Sequence, residues 1–197
     1  MRLYCATGNP GKLREFRQAA GAAPVEIELI PDFKQIPPCV EDGATFAENA
    51  IIKAEHYGAY LTRSAGPVLL FADDSGLEVD ALGGAPGVFS ARYCGYHGDD
   101  EANNRLLLER LDGVENRTAR FVCAIALVEG GKLKNVYRGA VEGRIIHEAR
   151  GSGGFGYDPL FHYPPFGRTF GEAGADEKFA VSHRGQALRA MLADLKL

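Results

Sequence analysis

The run Val68-Leu69-Leu70-Phe71-Ala72 constrains this chain most: five consecutive apolar residues without polar alternation describe a strand covered on both faces. Such a strand needs structure above and below it, which points to a layered architecture. The run meets Asp73-Asp74-Ser75-Gly76, and this abrupt change predicts that the strand ends there. Expected elements alternate on either side. Leu3 to Thr7 reads as a strand, followed by a helix to Ala20 with Asn9 as N-cap and Gly21 as its stop. Val25 to Ile30 alternates as a strand does. Thr45-Phe46-Ala47-Glu48 fits a capping box, and Phe46, Ala50, Ala54, Tyr57 and Leu61 then recur at helical spacing. Glu101 to Leu111 reads as a helix, and Ala119 to Val128 and Leu133 to Val141 as strands joined at Glu129-Gly130-Gly131. One helix from Ser182 to Leu195, with Leu188, Met191, Leu192 and Leu195 on its apolar face, closes the chain. Strands alternating with helices, plus a hairpin, predict a mixed α/β fold.

Length and charge narrow the function classes. The 197 residues suffice for one full core or two packed lobes, and 46% hydrophobic with 24% charged residues is a globular composition. A net charge of −4 argues against a broad basic face for nucleic-acid polymers, while a small anionic ligand needs only a local cluster of donors. Cys5, Cys39, Cys94 and Cys123 are too far apart for a zinc knuckle or a redox pair and read as reduced thiols. The opening apolar stretch is broken by Gly8, Asn9 and Pro10, too early for a signal peptide or a membrane span, so the expected compartment is the cytoplasm.

Several segments carry chemistry. Thr7-Gly8-Asn9-Pro10-Gly11-Lys12 is a glycine turn between a strand and a helix start; it either aims unpaired backbone N–H groups and the Lys12 charge at a phosphate or is an ordinary connection. It is not a P-loop, because its glycines are too close and Leu13 stands where a metal-binding hydroxyl belongs. Asp73 and Asp74 repel each other at the end of a buried strand, which a cation or donor relieves; the alternative is that one caps a turn and the other faces solvent. A hard cation such as Mg²⁺ needs few protein carboxylates. Glu41, beside Asp42 in a proline-rich loop, reads alone as a solvated charge, and Asp99-Asp100-Glu101 as complement to a helix dipole. Asn49 and Lys53 are neighbours on one helix face. Phe155-Gly156-Tyr157-Asp158 sets two aromatic rings beside glycines, a combination suited to a purine face. Lys178, His183 and Arg184 offer donors for phosphate or a base carbonyl.

Taken together, ATGNPGK, TFAENAIIKA, FADDSGLEVDALGGAPGVFSARY, GSGGFGYDPLF and EKFAVSHRGQAL, in that order, resemble the inosine triphosphate pyrophosphatase family along nearly the whole chain. Phe179 and Val181 are mild apolar departures. The resemblance implies one domain over residues 1–197, an elongated mixed α/β fold with a central mixed sheet flanked by helices, two lobes with the active-site cleft between them, and a homodimer. It implies hydrolysis of ITP, dITP and XTP to monophosphate and pyrophosphate by water attacking the α-phosphorus, with Mg²⁺ as cofactor and no membrane or nucleic-acid partner. By the same resemblance Thr7 to Lys12 lie along the triphosphate, Glu41 and Asp74 hold magnesium, and Asp74 also accepts the proton of the attacking water. Lys53, Ser75 and Lys178 contact phosphate or its surroundings, and Phe155, Gly156, Tyr157 and Asp158, with His183 and Arg184, enclose and read the base.

Three other readings compete, one of them a structurally related Maf-like pyrophosphatase acting on modified pyrimidines, which substrate profiling separates. An aspartyl-phosphate phosphatase of the haloacid-dehalogenase type needs D-x-D, whereas the acids here are adjacent. A nucleotide sensor without catalysis has little reason to put two carboxylates beside polyphosphate.

Overall fold

The computed structural model describes residues 1–197, apart from the side chains of residues 64 and 65. In chain order the elements are β1 (Arg2–Cys5), α1 (Pro10–Ala20), β2 (Glu26–Leu29), α2 (Phe46–Ala65), β3 (Leu69–Val79), α3 (Asp100–Arg110), β4 (Thr118–Glu129), β5 (Lys132–Ile145), β6 (Phe161–Tyr163), β7 (Arg168–Thr169), α4 (Ala175–Val181) and α5 (His183–Asp194). The strands form a seven-stranded sheet in the order β2-β1-β3-β4-β5-β6-β7. β1 runs parallel to β2 and β3, whereas β6 runs antiparallel to β5 and β7, so the sheet is mixed.

Local signals account for most boundaries. Asn9 caps α1 by accepting from the Gly11 and Lys12 amides, and Pro10, which has no N–H to lose, stands at the first helical position. The α2 capping box is complete: Thr45 Oγ1 accepts from Glu48 N at 3.1 Å, and Glu48 Oε2 accepts from Thr45 N at 3.2 Å. The stripe Phe46, Ala50, Ala54, Tyr57 and Leu61 is buried, as its spacing predicts. β4 is buried without interruption from Phe121 to Val128, the pattern of a strand covered on both faces.

One expectation is corrected. β3 does not stop at Asp73 but continues to Val79, because Leu77 and Val79 resume its buried apolar pattern. Gly76 is therefore a point of close approach and not a turn: a Cβ there would lie 2.2 Å from Ser90 Oγ. The terminal helix expected from Ser182 to Leu195 is α5, His183–Asp194; the short α4 ahead of it was not expected, and Ser182 between the two is fully buried with an extended backbone.

The chain forms two compact units. The first comprises residues 1–74, 123–139 and 183–197. Its core packs Leu3, Phe16, Phe71, Ile125, Leu127, Leu188 and Met191, with the Phe16 and Phe71 rings edge to face at 5.1 Å. The second comprises residues 75–122 and 140–182. It packs Leu77, Leu107, Leu111, Tyr157, Leu160 and a cluster of Phe121, Phe161 and Phe170 whose centroids lie 4.5 to 6.2 Å apart. Burying each such side chain contributes about 1.5–3 kcal/mol relative to leaving it in water.

Candidate active site

In the first unit, β1 ends against the turn that starts α1. Thr7 is buried, and its Oγ1 accepts from Asn9 N at 3.1 Å, which fixes the turn. Asn9 Oδ1 accepts from Gly11 N at 2.8 Å and Lys12 N at 3.2 Å, so these two amides are engaged, contrary to the expectation of unpaired donors around exposed Gly8. An incoming phosphate oxygen would have to replace Asn9 at them. The reaching charge at this turn is the Lys12 side chain, whose Nζ lies 2.9 Å from Asp73 Oδ2.

α2 supplies further partners of the two acids. Asn49 Nδ2 donates to Asp74 Oδ2 at 3.0 Å, and Asn49 Oδ1 accepts from Gly43 N at 2.8 Å. One buried amide thus joins the catalytic candidate to the loop carrying Glu41. One turn on, Lys53 Nζ donates to the Asp73 carbonyl at 3.0 Å and pairs with Glu41 Oε2 at 2.7 Å. Glu41 is therefore no solvated loop charge. α5 contributes Arg184, whose NH1 pairs with Glu15 Oε2 at 2.8 Å and whose Nε lies 3.8 Å from Asp73 Oδ2. His183 precedes it and is buried.

The electrostatics separate the two acids. Burial alone pushes the Asp73 carboxyl up, but Lys12, Arg184 and Lys53 together bring it below the ordinary aspartate range. Burial also raises Asp74, and there Lys53, Lys12 and Asn49 offset it only in part, so Asp74 lies above that range. Burial lowers Lys53, yet Asp73, Glu41 and Asp74 outweigh it and hold the ammonium charged. A desolvated carboxylate with incompletely compensated charge fits a cation ligand or a proton acceptor. Glu41 and Asp74 supply the hard oxygens that Mg²⁺ prefers. Among the described residues no group of three or more His, Cys, Asp or Glu forms a metal cluster.

The second unit holds the remaining candidates. Ser75 follows Asp74 on β3 and is partly buried. Asp158 Oδ2 accepts from Phe155 N at 2.9 Å and from Lys178 Nζ at 2.5 Å, with both charged side chains buried. Lys178 Nζ also lies 5.2 Å from the centre of the Phe155 ring. Lys178 accordingly belongs with the Phe155 loop, whereas His183 and Arg184 belong to the first unit. Of the two aromatic rings, Phe155 is partly buried, while Tyr157 lies in the apolar core with its hydroxyl donating to the Ser90 carbonyl at 2.9 Å. Tyr157 is a framework residue here and not an open purine face.

Sequence reasoning left Glu15 and Asn49 outside the site. Asn49 was legible from its place one turn before Lys53, while Glu15, 169 residues from Arg184, carried no local signal.

Comparison with known proteins gives a consistent result. The sequence pattern of the Ham1 family matches residues 3–194. A dITP/XTP pyrophosphatase of an Exiguobacterium strain is 49% identical over 195 residues, covering 99% of this chain and 97% of that one. One from Thermus thermophilus is 50% identical, covering 98% and 90%. Among solved structures, the Staphylococcus aureus Ham1 protein is similar at a TM-score of 0.85 and 35% identity, covering 100% of this chain and 98% of that one. The nucleoside-triphosphatase, or dITP/XTP pyrophosphatase, of Mycobacterium abscessus aligns at a TM-score of 0.75 and 43% identity, covering 98% and 99%.

Proposed function

The chain belongs to the Ham1 family, and from that premise we propose that it hydrolyses the non-standard purine triphosphates ITP, dITP and XTP to monophosphate and pyrophosphate, removing them before incorporation into DNA or RNA. The observation that carries this reading is the grouping of Lys12, Lys53 and Glu41 around Asp73-Asp74, with Asp74 desolvated and its pKa raised. Two ammonium groups neutralise phosphate charge, and a carboxylate of raised basicity takes a proton from water.

In the proposed reaction Lys12 and Lys53 draw the triphosphate toward the turn of Thr7, Gly8, Asn9, Pro10 and Gly11, and Ser75 lies next to Asp74 along β3. Glu41 and Asp74 would hold Mg²⁺, which when bound screens the triphosphate charge and polarises the phosphoryl oxygens. Asp74 orients water toward the α-phosphorus and accepts its proton. Phe155, Gly156, Tyr157 and Asp158, with Lys178, form the base-side loop; Tyr157 acts through the framework, and Asp158 holds Lys178 against Phe155. Arg184 and His183 would donate to the oxygen at purine C6, where adenine carries an amino donor that leaves them unmatched. Residues 1–197 act as one pyrophosphatase domain, in the cytoplasm and as a homodimer.

The test is a panel of ITP, dITP, XTP, ATP and GTP with separate detection of pyrophosphate and orthophosphate. Pyrophosphate released from the inosine and xanthine nucleotides, lost in excess chelator and restored by Mg²⁺, is the expected outcome. Orthophosphate as the first product, or full activity in chelator, contradicts it.

A further inference from the structure

Asp100 and Asn104 lie four residues apart on α3, so their side chains leave neighbouring points of one helix face. Both reach Gly156. Asp100 Oδ2 accepts from Gly156 N at 2.7 Å, and Asn104 Nδ2 donates to the Gly156 carbonyl at 3.0 Å. The N–H belongs to the peptide joining Phe155 to Gly156, and the carbonyl to the peptide joining Gly156 to Tyr157. One helix therefore holds the peptide planes on both sides of a single Cα, which fixes both backbone dihedrals there.

The held residue is the one that most needs holding. Gly156 has φ of 64°, and a Cβ built on it would meet nothing within 4 Å, so packing does not define its conformation. Its neighbours are secured by other means. Phe155 N is bound by Asp158, and the Tyr157 hydroxyl by the Ser90 carbonyl. α3 is itself anchored by Leu107 in the core and by buried Asn103, whose Oδ1 accepts from Cys94 N at 2.9 Å. The acidic start of α3 thus divides its labour: Asp99 caps the helix by accepting from Ala102 N at 2.9 Å, while the Asp100 side chain binds the loop.

We propose that Asp100 and Asn104 are positioning residues for base recognition, a two-point clamp that sets the angle at which Phe155 meets the purine. This rests on the reading that residues 155–158 take the base. A charge-assisted hydrogen bond from Gly156 N–H to Asp100 makes the clamp stiff on the Phe155 side, and a rotation of that peptide would carry the ring with it.

The experiment is steady-state pyrophosphate release from ITP and ATP by the wild type, Asp100→Ala, Asn104→Ala and Asp100→Asn, with a thermal melt of each. In both alanine variants KM for ITP should rise about tenfold, kcat should change less than about threefold, and the ITP-to-ATP ratio of kcat/KM should fall. Asp100→Asn retains an acceptor oxygen and should recover most of the KM and the ratio. Unchanged KM and ratio in folded alanine variants overturn the clamp, as does an Asp100→Asn defect equal to that of Asp100→Ala. Wild-type protein that releases no pyrophosphate from ITP overturns the functional reading and the clamp's role together, whereas normal wild-type turnover with unaffected variants overturns the clamp alone.

Discussion

Asp73 and Asp74 are consecutive, yet β3 gives them different work. Successive side chains of a strand point to opposite faces, so Asp73 faces Lys12 and Arg184 while Asp74 meets Asn49. The repulsion expected of adjacent acids is relieved by geometry as well as by charge. The consequences for substitution differ in kind. Asp74→Asn keeps the shape, and because folding disfavours the ionised form of Asp74, it should leave the melting temperature unchanged or higher. Turnover of ITP should nevertheless fall by about 10²–10⁴-fold, as expected for lost acid–base catalysis. Asp73→Asn removes the partner of buried cations, a change that costs about 3–5 kcal/mol when a buried pair is broken. Its melting temperature should drop by roughly 10 °C at this chain length. Thermal melts and single-turnover assays of the two variants check both statements, and a destabilised Asp74→Asn with normal turnover would reverse the assignment.

Between elements, β5 and α5 are tied by Tyr137, whose hydroxyl donates to Asp194 Oδ2 at 2.5 Å. Burial first, and then this bond, push the Tyr137 hydroxyl up to about 12 from its ordinary value of 10. A pKa raised by folding means that the contribution to stability is fully present below pH 10 and is lost as the pH rises through about 12. Wild-type melting temperature should therefore fall more steeply than that of Tyr137→Phe across this window; parallel curves would contradict the coupling. Such cross-element ties also explain what the sequence did and did not reveal. The Asn9 cap, the Thr45–Glu48 box and the α2 stripe are local, and each was legible from residues within a few positions. β3 continuing through Asp73-Asp74 was not, because the polar pair is tolerated inside a buried strand through Lys12, Asn49, Lys53 and Arg184, distant along the chain. α4 was equally hidden, because a helix of seven residues is shorter than the window over which an apolar stripe recurs, whereas the start of α5 lies within one residue of the expected Ser182. At the site, Asp74, Lys12 and Lys53 were legible as types at strand and helix positions. Glu41 acquired its place only through Lys53 and the Asn49 bond to Gly43, and Tyr157 lost its open face to the apolar core.

For the whole molecule, the strands form one seven-stranded mixed sheet, and Asp74 and Ser75 are consecutive residues of β3. Among the described residues no helix is long and apolar enough to cross a membrane. The proposed homodimer should show twice the chain mass of 21.2 kDa by light scattering at micromolar concentration; a mass equal to one chain would contradict it. In the proposed reaction water, with its proton taken by Asp74, attacks the α-phosphorus of a non-standard purine triphosphate. Hydrolysis of ITP in ¹⁸O-labelled water with Mg²⁺, followed by mass spectrometry of both products, tests this most directly. One label in the inosine monophosphate and none in the pyrophosphate is the expected result; label in the pyrophosphate, or orthophosphate as the first product, would contradict attack at the α-phosphorus.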